Sequence, residues 1–284
     1  MKIAILGGTG LIGGSLRQYF ISNHDVECTG REAFVSFETL MATVQDCDLV
    51  IQLSGANISK RWTSIYEKEI WSSRIETTEL LARVVDKLPQ KPKVICASAV
   101  GFYPESDCGH ALDETCEIPG NDFLANLSVA WESAARSIPS DTAIIRFGVV
   151  LSTKSGALKQ MYLPYFLGFG GPICGGNHCF SWVHIKDLNR AIKFIIDGEK
   201  FSGVYNLTSP EPISQRYFGQ TLAKTLRRPF LLPLFDWQLR LIFGRGSKVL
   251  TQSISVIPKR LQDEGFVFHF PDIKSALAEL ISNK

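Results

Sequence analysis

The first thirteen residues constrain this chain more than any other stretch. Lys2-Ile3-Ala4-Ile5-Leu6 is an apolar run too short for a helix, it stops at Gly7-Gly8-Thr9-Gly10, and a helical pattern (Leu11, Ile12, Leu16, Tyr19, Phe20) begins immediately afterwards. Strand, glycine turn and helix in that order predict a dinucleotide-binding unit. In such a unit Gly7 makes the tight turn, Gly10 lets the backbone approach a pyrophosphate, and Gly13 lets the helix sit close to the sheet. The first amides of the helix have no intrahelical acceptor and point at the anion. Surface turns are rich in glycine too, so the reading rests on the flanking strand and helix.

The chain keeps the same alternation after the turn. A second strand, Asp25 to Thr29, ends at Gly30-Arg31-Glu32. At this position a carboxylate binds the ribose 2'-hydroxyl of NAD, whereas an arginine accommodates the 2'-phosphate of NADP. Arg31 follows the strand directly, which favours NADP over NAD; the alternative is a solvated loop charge, with Glu32 beside it. The third strand, Asp48 to Leu53, is apolar on both faces and ends in Ser54-Gly55-Ala56-Asn57, small residues that leave room for adenosine and pyrophosphate. A long helical pattern from Trp62 to Val85 stops at Pro89, and Lys93 to Ser98 forms a fourth strand. The order βαβαβαβ implies a parallel sheet with right-handed crossovers.

At 284 residues the chain is long enough for one large α/β unit, or for a nucleotide domain with a smaller appendage. Its net charge of +2 and the lack of a dense basic run predict neither a nucleic acid nor a membrane partner. No apolar run reaches membrane-spanning length, and the opening residues read as a core strand without a signal peptide's basic start, so a cytoplasmic protein is expected. Seven cysteines, Cys28, Cys47, Cys96, Cys108, Cys116, Cys174 and Cys179, are odd in number and scattered, which predicts no disulfide framework and no paired metal site. Cys108, His110 and Cys116 are conceivable metal ligands, but their spacing reads as loop coincidence, and no metal is expected.

Several segments then carry a family resemblance. They are GGTGLIG at the start, LSGANISKRW (from Leu53), SSRIETT (Ser72 to Thr78), ASAVGFY (Ala97 to Tyr103), WESAA (Trp131 to Ala135), RFGVVLS (Arg146 to Ser152), LGFGGPICGGNHCFSWVHIKDL (Leu167 to Leu188), YNLTSPEP, RRPFLLPLF and VIPKRLQDEGFVFHFP. In this order they resemble the "epimerase family" branch of the atypical, extended short-chain dehydrogenase/reductases, which carries a short C-terminal domain of unknown function. The resemblance covers essentially the whole chain. It implies an α/β, Rossmann-type doubly wound parallel sheet over residues 1–210, with a Gly-rich excursion at 156–180, and a small C-terminal α+β region at 211–284 over the carboxyl edge.

The resemblance also implies an NADP(H)-binding protein of the epimerase/dehydratase type, acting as an oxidoreductase or epimerase on a small carbonyl or hydroxyl substrate. Cofactor contacts are implied at Gly7, Thr9, Gly10, Leu11, Ile12, Gly13, Gly30, Arg31, Leu53, Ser54, Gly55, Glu69, Arg74 and Val150. Glu69 and Arg74 are five residues apart on a helix and so occupy different sides of it. A surface charge for Glu69 and a structural ion pair for Arg74 are the bland alternatives.

The chain departs from the wider superfamily at one place. Extended members carry a tyrosine and, four residues on, a lysine after the fourth strand; here the helix reads Phe123-Leu124-Ala125-Asn126-Leu127-Ser128, so Leu124 and Ser128 stand in those positions. Leucine cannot shuttle a proton. Tyr103 and Ser98, after the fourth strand, are the nearest substitutes. His184, between Val183 and Ile185, reads as a packed strand-end histidine, with Asp187 capping the helix that follows. A fifth strand is expected over Thr142 to Val150, another over Tyr205 to Thr208, and a strand-like run at Phe266 to Phe270. Trp237, Leu239, Leu241, Ile242 and Phe243 at helical spacing suggest packing against the Rossmann unit, or the lining of an apolar substrate pocket. Two functional classes follow: an NADP(H)-dependent enzyme, or a catalytically silent NADPH-binding sensor or scaffold.

Overall fold

The apolar runs of the sequence become the strands of one parallel sheet. In the computed structural model, which describes residues 1–282, β1 (Lys2–Leu6), β2 (Asp25–Thr29), β3 (Leu49–Gln52), β4 (Lys93–Ala99) and β5 (Thr142–Phe147) are followed by the short strands β6 (Val149–Leu151), β7 (Cys179–Phe180) and β8 (Trp182–His184), then by β9 (Gly203–Leu207) and β10 (Ile213–Ser214). The main sheet has the order β2-β1-β3-β4-β5-β9, and every neighbouring pair is parallel. Strand order reverses between β1 and β3, and a crevice outside the carboxyl ends at such a reversal is where open α/β sheets bind ligands.

The helices are α1 (Leu11–Phe20), α2 (Phe37–Val44), α3 (Ser64–Lys87), α4 (Phe123–Arg136), α5 (Ala157–Phe166), α6 (Ile185–Asp197), α7 (Gln215–Thr225), α8 (Asp236–Phe243), α9 (Lys248–Thr251), α10 (Lys259–Asp263) and α11 (Ile273–Ser282). Side chains alternate across the sheet. Ile3, Ile5, Ile51, Ile95 and Ile145 pack with Leu16 and Phe20 of α1 and Ile192 and Ile195 of α6. Ala4, Leu6, Val50, Val94 and Ile144 point the other way, onto Leu40 and Val44 of α2 and Leu81, Val84 and Val85 of α3. Both faces are covered, which is why the strands read as continuous apolar runs.

The later chain closes over the carboxyl edge. Trp62, beyond β3, bridges Gly244; Tyr103, beyond β4, shares a core cluster with Ile254 and Val256; and Thr208, beyond β9, donates to the Val256 carbonyl across 3.1 Å. Leu158 of α5, Phe218 and Leu222 of α7 and Leu277 of α11 form a separate apolar cluster.

Five expectations are corrected here. The fifth strand does not run through to Val150: a Cβ on Gly148 would lie 2.8 Å from the Ser181 carbonyl oxygen, and the chain breaks there so that β6 leaves the main sheet and pairs with β8. Phe266 to Phe270 forms no strand, because the amides of His269 and Phe270 donate to the two carboxylate oxygens of Asp187, at 2.9 and 2.7 Å. Asp187 is thus an anchor inside the first turn of α6, and the cap is His184, whose side chain accepts from the Lys186 amide. On α8 only Leu239 is buried, whereas Trp237, Leu241 and Ile242 are exposed. Finally, Cys108 and Cys179 form a disulfide, with Cα atoms 5.3 Å apart, which ties the loop after β4 to β7.

Candidate cofactor crevice and its surroundings

The glycine turn is fixed by backbone contacts on three sides. The amides of Gly7 and Gly8 both donate to the Thr29 carbonyl, at 2.8 and 2.9 Å. Gly7 has φ of +88°, and a Cβ there would sit 2.9 Å from the Leu53 carbonyl carbon. At Gly13 a Cβ would lie 2.6 Å from both the Gly7 oxygen and the Gly8 Cα, so α1 packs directly on the turn. Gly10 differs, since a Cβ there would meet only the Gly7 oxygen, at 3.4 Å. Gly10 opens α1 without a side-chain cap, and the amides of Leu11, Ile12 and Gly13 lie in the first turn, which lacks intrahelical acceptors. The turn therefore offers an anion an open approach to a helix N-terminus.

Around it stand the ends of β2 and β3. Arg31 is 84% exposed, with its Nη2 3.0 Å from Glu69 Oε1. Glu32 turns back and accepts from the Gly30 amide at 2.6 Å; that bond holds its carboxyl below the usual range. Thr29 Oγ1 and Ser54 Oγ are buried without a hydrogen-bond partner among the described residues. Half-buried Arg74 donates to the carbonyls of Ile70 (3.1 Å) and Ala56 (3.0 Å), and its guanidinium lies 5.3 Å from the Trp131 ring. Burial pushes its pKa down to about 10, and among the described residues no carboxylate pairs with it. Glu69 and Arg74 leave α3 in different directions, as their spacing requires, yet one reaches the end of β2 and the other the end of β3. The opposite wall comes from Gly156, where a Cβ would lie 2.9 Å from Leu11 Cδ2 and 3.7 Å from the Val150 oxygen.

Further along the carboxyl edge the residues are sealed. Ser98 Oγ donates to Glu132 Oε1 at 2.8 Å. Glu132 also accepts from Arg146 Nε at 2.7 Å and Nη2 at 2.9 Å, and from Arg136 Nη2 at 2.9 Å. The Arg146 guanidinium lies 3.5 Å from the centre of the Phe102 ring. Tyr103 is 0% exposed, its hydroxyl donates to Asn206 Oδ1 at 2.9 Å, and burial pushes its pKa up to about 12. A phenol so placed supplies no anion at neutral pH and reaches no substrate in this conformation. The two nearest substitutes for the missing tyrosine, Tyr103 and Ser98, thus have their hydroxyls engaged by Asn206 and Glu132 in this conformation.

Leu124 lies against Gly101, whose Cβ would come 3.3 Å from Leu124 Cβ, while Ser128 Oγ donates to the Leu124 carbonyl at 2.9 Å. Sequence reasoning missed the Glu132–Arg146 pair and the aromatic group of Trp62 and Trp71 around Phe123, with ring centroids 5.3 and 6.3 Å away. Their spacing along the chain gives no signal that they meet. No group of three metal-binding side chains occurs among the described residues; Cys108 is in the disulfide, and His110 Nδ1 lies 3.0 Å from Asp107.

Residues 3–122 match the model of the NAD dependent epimerase/dehydratase family, and residues 235–280 match a domain of unknown function. A human epimerase family protein, SDR39U1, is 34% identical over 99% of this chain and 100% of its own length. The chain belongs to this family. An epimerase family protein of Staphylococcus aureus, SAR0825, is 35% identical over 98% of both chains. The crystal structure of the human protein (isoform 2) with NADPH superposes with a TM-score of 0.93, covering all of both chains. A nucleoside-diphosphate sugar epimerase from Corynebacterium glutamicum has a TM-score of 0.80 at 25% identity, covering 100% of this chain and 59% of that one. The two solved relatives share the fold described above, including its C-terminal part.

Proposed function

We propose that this chain binds NADP(H) in the crevice at the switch between β1 and β3 and acts as an oxidoreductase or epimerase on a small carbonyl or hydroxyl substrate. One observation carries the reading. The uncapped start of α1 behind an open Gly10, Arg31 at the end of β2 and Arg74 at the end of β3 set three positive groups along one crevice, which suits a dinucleotide bearing a 2'-phosphate. The human relative crystallised with NADPH supports NADP over NAD. When bound, the cofactor supplies the hydride. The turn amides hold the pyrophosphate, Gly30 and Arg31 take the 2'-phosphate, and Leu53, Ser54 and Gly55 line the adenosine side. Thr29 Oγ1 and Ser54 Oγ, buried at the ends of β2 and β3, have no partner among the described residues, and Val150 lies beside Gly156.

A second reading, a catalytically silent NADPH sensor or scaffold, is favoured by Leu124 at the superfamily's tyrosine position and by the sealing of Tyr103. Loss of general acid/base help slows such chemistry by about a hundred- to ten-thousand-fold. The test is an NADPH titration followed by single-turnover oxidation of bound NADPH with carbonyl compounds and nucleotide sugars. Tight NADPH binding with slow turnover is expected. Binding with no oxidation by any compound moves the assignment to the second reading, and no NADPH binding refutes both.

A further inference from the structure

Helices α5 and α8 carry large apolar side chains that the described residues leave exposed. On α5, Leu163, Phe166 and Leu167 are three and four residues apart and so share one face; Leu163 and Leu167 are 60% and 58% exposed. On α8, Trp237 and Leu241 share a face, and each is 65% exposed. The linker ahead of α8 runs along the end of α5, which brings the two helices close together. Arg228 donates to the Phe166 carbonyl at 2.6 Å and lies over its ring at 4.9 Å, and the Leu231 amide donates to Gly170 at 2.8 Å, just ahead of α8. Side chains this exposed project outward, unlike the recessed wall of a ligand pocket.

The same stretches hold a charge imbalance that the total of +2 conceals. Residues 156–180 and 213–252 contain eight lysines and arginines and a single acid, Asp236. All eight cations are exposed. The remainder of the chain is therefore net acidic. Exposed aromatic and aliphatic side chains interleaved with lysine and arginine match the chemistry of a protein lying on an anionic bilayer, where the apolar groups enter the headgroup boundary and each nearby cation adds attraction. A second copy of the chain fits less well, because an isologous contact would set two cationic faces against each other.

We propose that the α5–α8 face docks reversibly on an anionic lipid surface, holding the cofactor crevice next to the membrane. This goes beyond the cofactor assignment and does not depend on it, and it revises the expectation of no membrane partner. No helix among the described residues is long and apolar enough to cross a membrane, so the contact is peripheral.

The test is co-sedimentation of the full chain with vesicles of phosphatidylcholine alone, or of phosphatidylcholine mixed with phosphatidylglycerol. Binding is expected to the mixed vesicles only, and to fall as salt is raised. Trp237→Glu should weaken it by roughly tenfold or more, and Lys224→Glu should weaken it less. Val267→Glu, which alters an equally exposed side chain in the segment beside α6, should leave it unchanged. Unaltered thermal unfolding and NADPH titration of each variant establish that it is folded. No binding to either vesicle overturns the proposal. So does equal binding to both, equal weakening by Val267→Glu, or a dimer in free solution that Trp237→Glu splits.

Discussion

Tyr103 donates its buried hydroxyl to Asn206 across 2.9 Å, and Asn206 is itself held by its side-chain amide on the Ile257 carbonyl and by its backbone amide on Glu114. The phenol thus joins the loop after β4 to β9 and to the C-terminal chain. Tyr103→Phe keeps the ring but leaves Asn206 Oδ1 without this donor in a closed site. A loss of about 1 to 3 kcal/mol in unfolding free energy is expected, with NADPH affinity and any turnover unchanged. A large fall in turnover at constant stability would restore Tyr103 as a proton relay.

Gly10 and Gly13 are three residues apart on one turn, yet they should fail differently. Gly10 has ordinary backbone angles and an open outer side, so Gly10→Val should fold with near-native melting while losing NADPH. Gly13→Ala drives a methyl to 2.6 Å from two backbone atoms of the turn, and neither can yield without moving the turn itself. Its melting temperature should therefore fall. Thermal unfolding paired with NADPH titration separates the two, and undiminished NADPH affinity in folded Gly10→Val would make the turn purely structural.

How much of this was legible in the sequence depended on distance along the chain. The glycine turn was legible because tight φ, close helix packing and the uncapped helix start are all settled within seven residues. The central strands β1, β3, β4 and β5 were legible because two-sided burial leaves an apolar run between turn signals. Pairings across the fold were not: Glu132 finds Arg146 only because α4 packs over β4 and β5, and Cys108 finds Cys179, 71 residues away, only when the loop after β4 meets β7. The periodicity of α8 resembles that of a buried helix, but burial depends on a covering partner, and none of the described chain covers Trp237. Phe266 to Phe270 has strand-like residues, yet the Asp187 carboxylate takes the amides that a ladder would need.

Arg31 meets Glu69 at 3.0 Å on an exposed surface, so its charge is only partly committed; exposed pairs contribute about 0 to 1 kcal/mol. The 2'-phosphate offers more negative charge than one carboxylate and distinguishes NADPH from NADH. Arg31→Ala should weaken NADPH roughly tenfold, about 1.4 kcal/mol, and leave NADH nearly unchanged. Glu69→Gln should release Arg31 and shift NADPH far less. Equal losses for both cofactors on Arg31→Ala would show that Arg31 is a solvated loop charge.

His184 links β8 to the last helix, and charging its buried ring should cost stability. The ring is 0% exposed and stacks on Phe270 at 4.0 Å. Nδ1 accepts from the Lys186 amide at 3.1 Å, which places the proton on Nε2, 2.9 Å from Glu279 Oε2. Burial lowers its pKa below the ordinary 6.5 and outweighs the opposing pull of Glu279 and Asp187. A depressed folded-state pKa means that the unfolded chain takes up the proton first as pH falls. The contribution is complete above about 6.5 and declines as pH drops through that value towards the folded pKa. Glu279, whose own pKa is lowered because its bonds to Lys186 and His184 outweigh its burial, adds a loss only at lower pH, below the ordinary 4.5 of a glutamate. Urea unfolding followed from neutral to mildly acidic pH should therefore show stability falling just below 6.5. His184→Gln, which keeps a donor towards Glu279 but cannot titrate, should make that part of the profile shallower, leaving the share of His178, whose pKa burial also lowers, and the later carboxylate fall in place. An unchanged slope in the variant would assign the mildly acidic loss to another group and return His184 to simple packing.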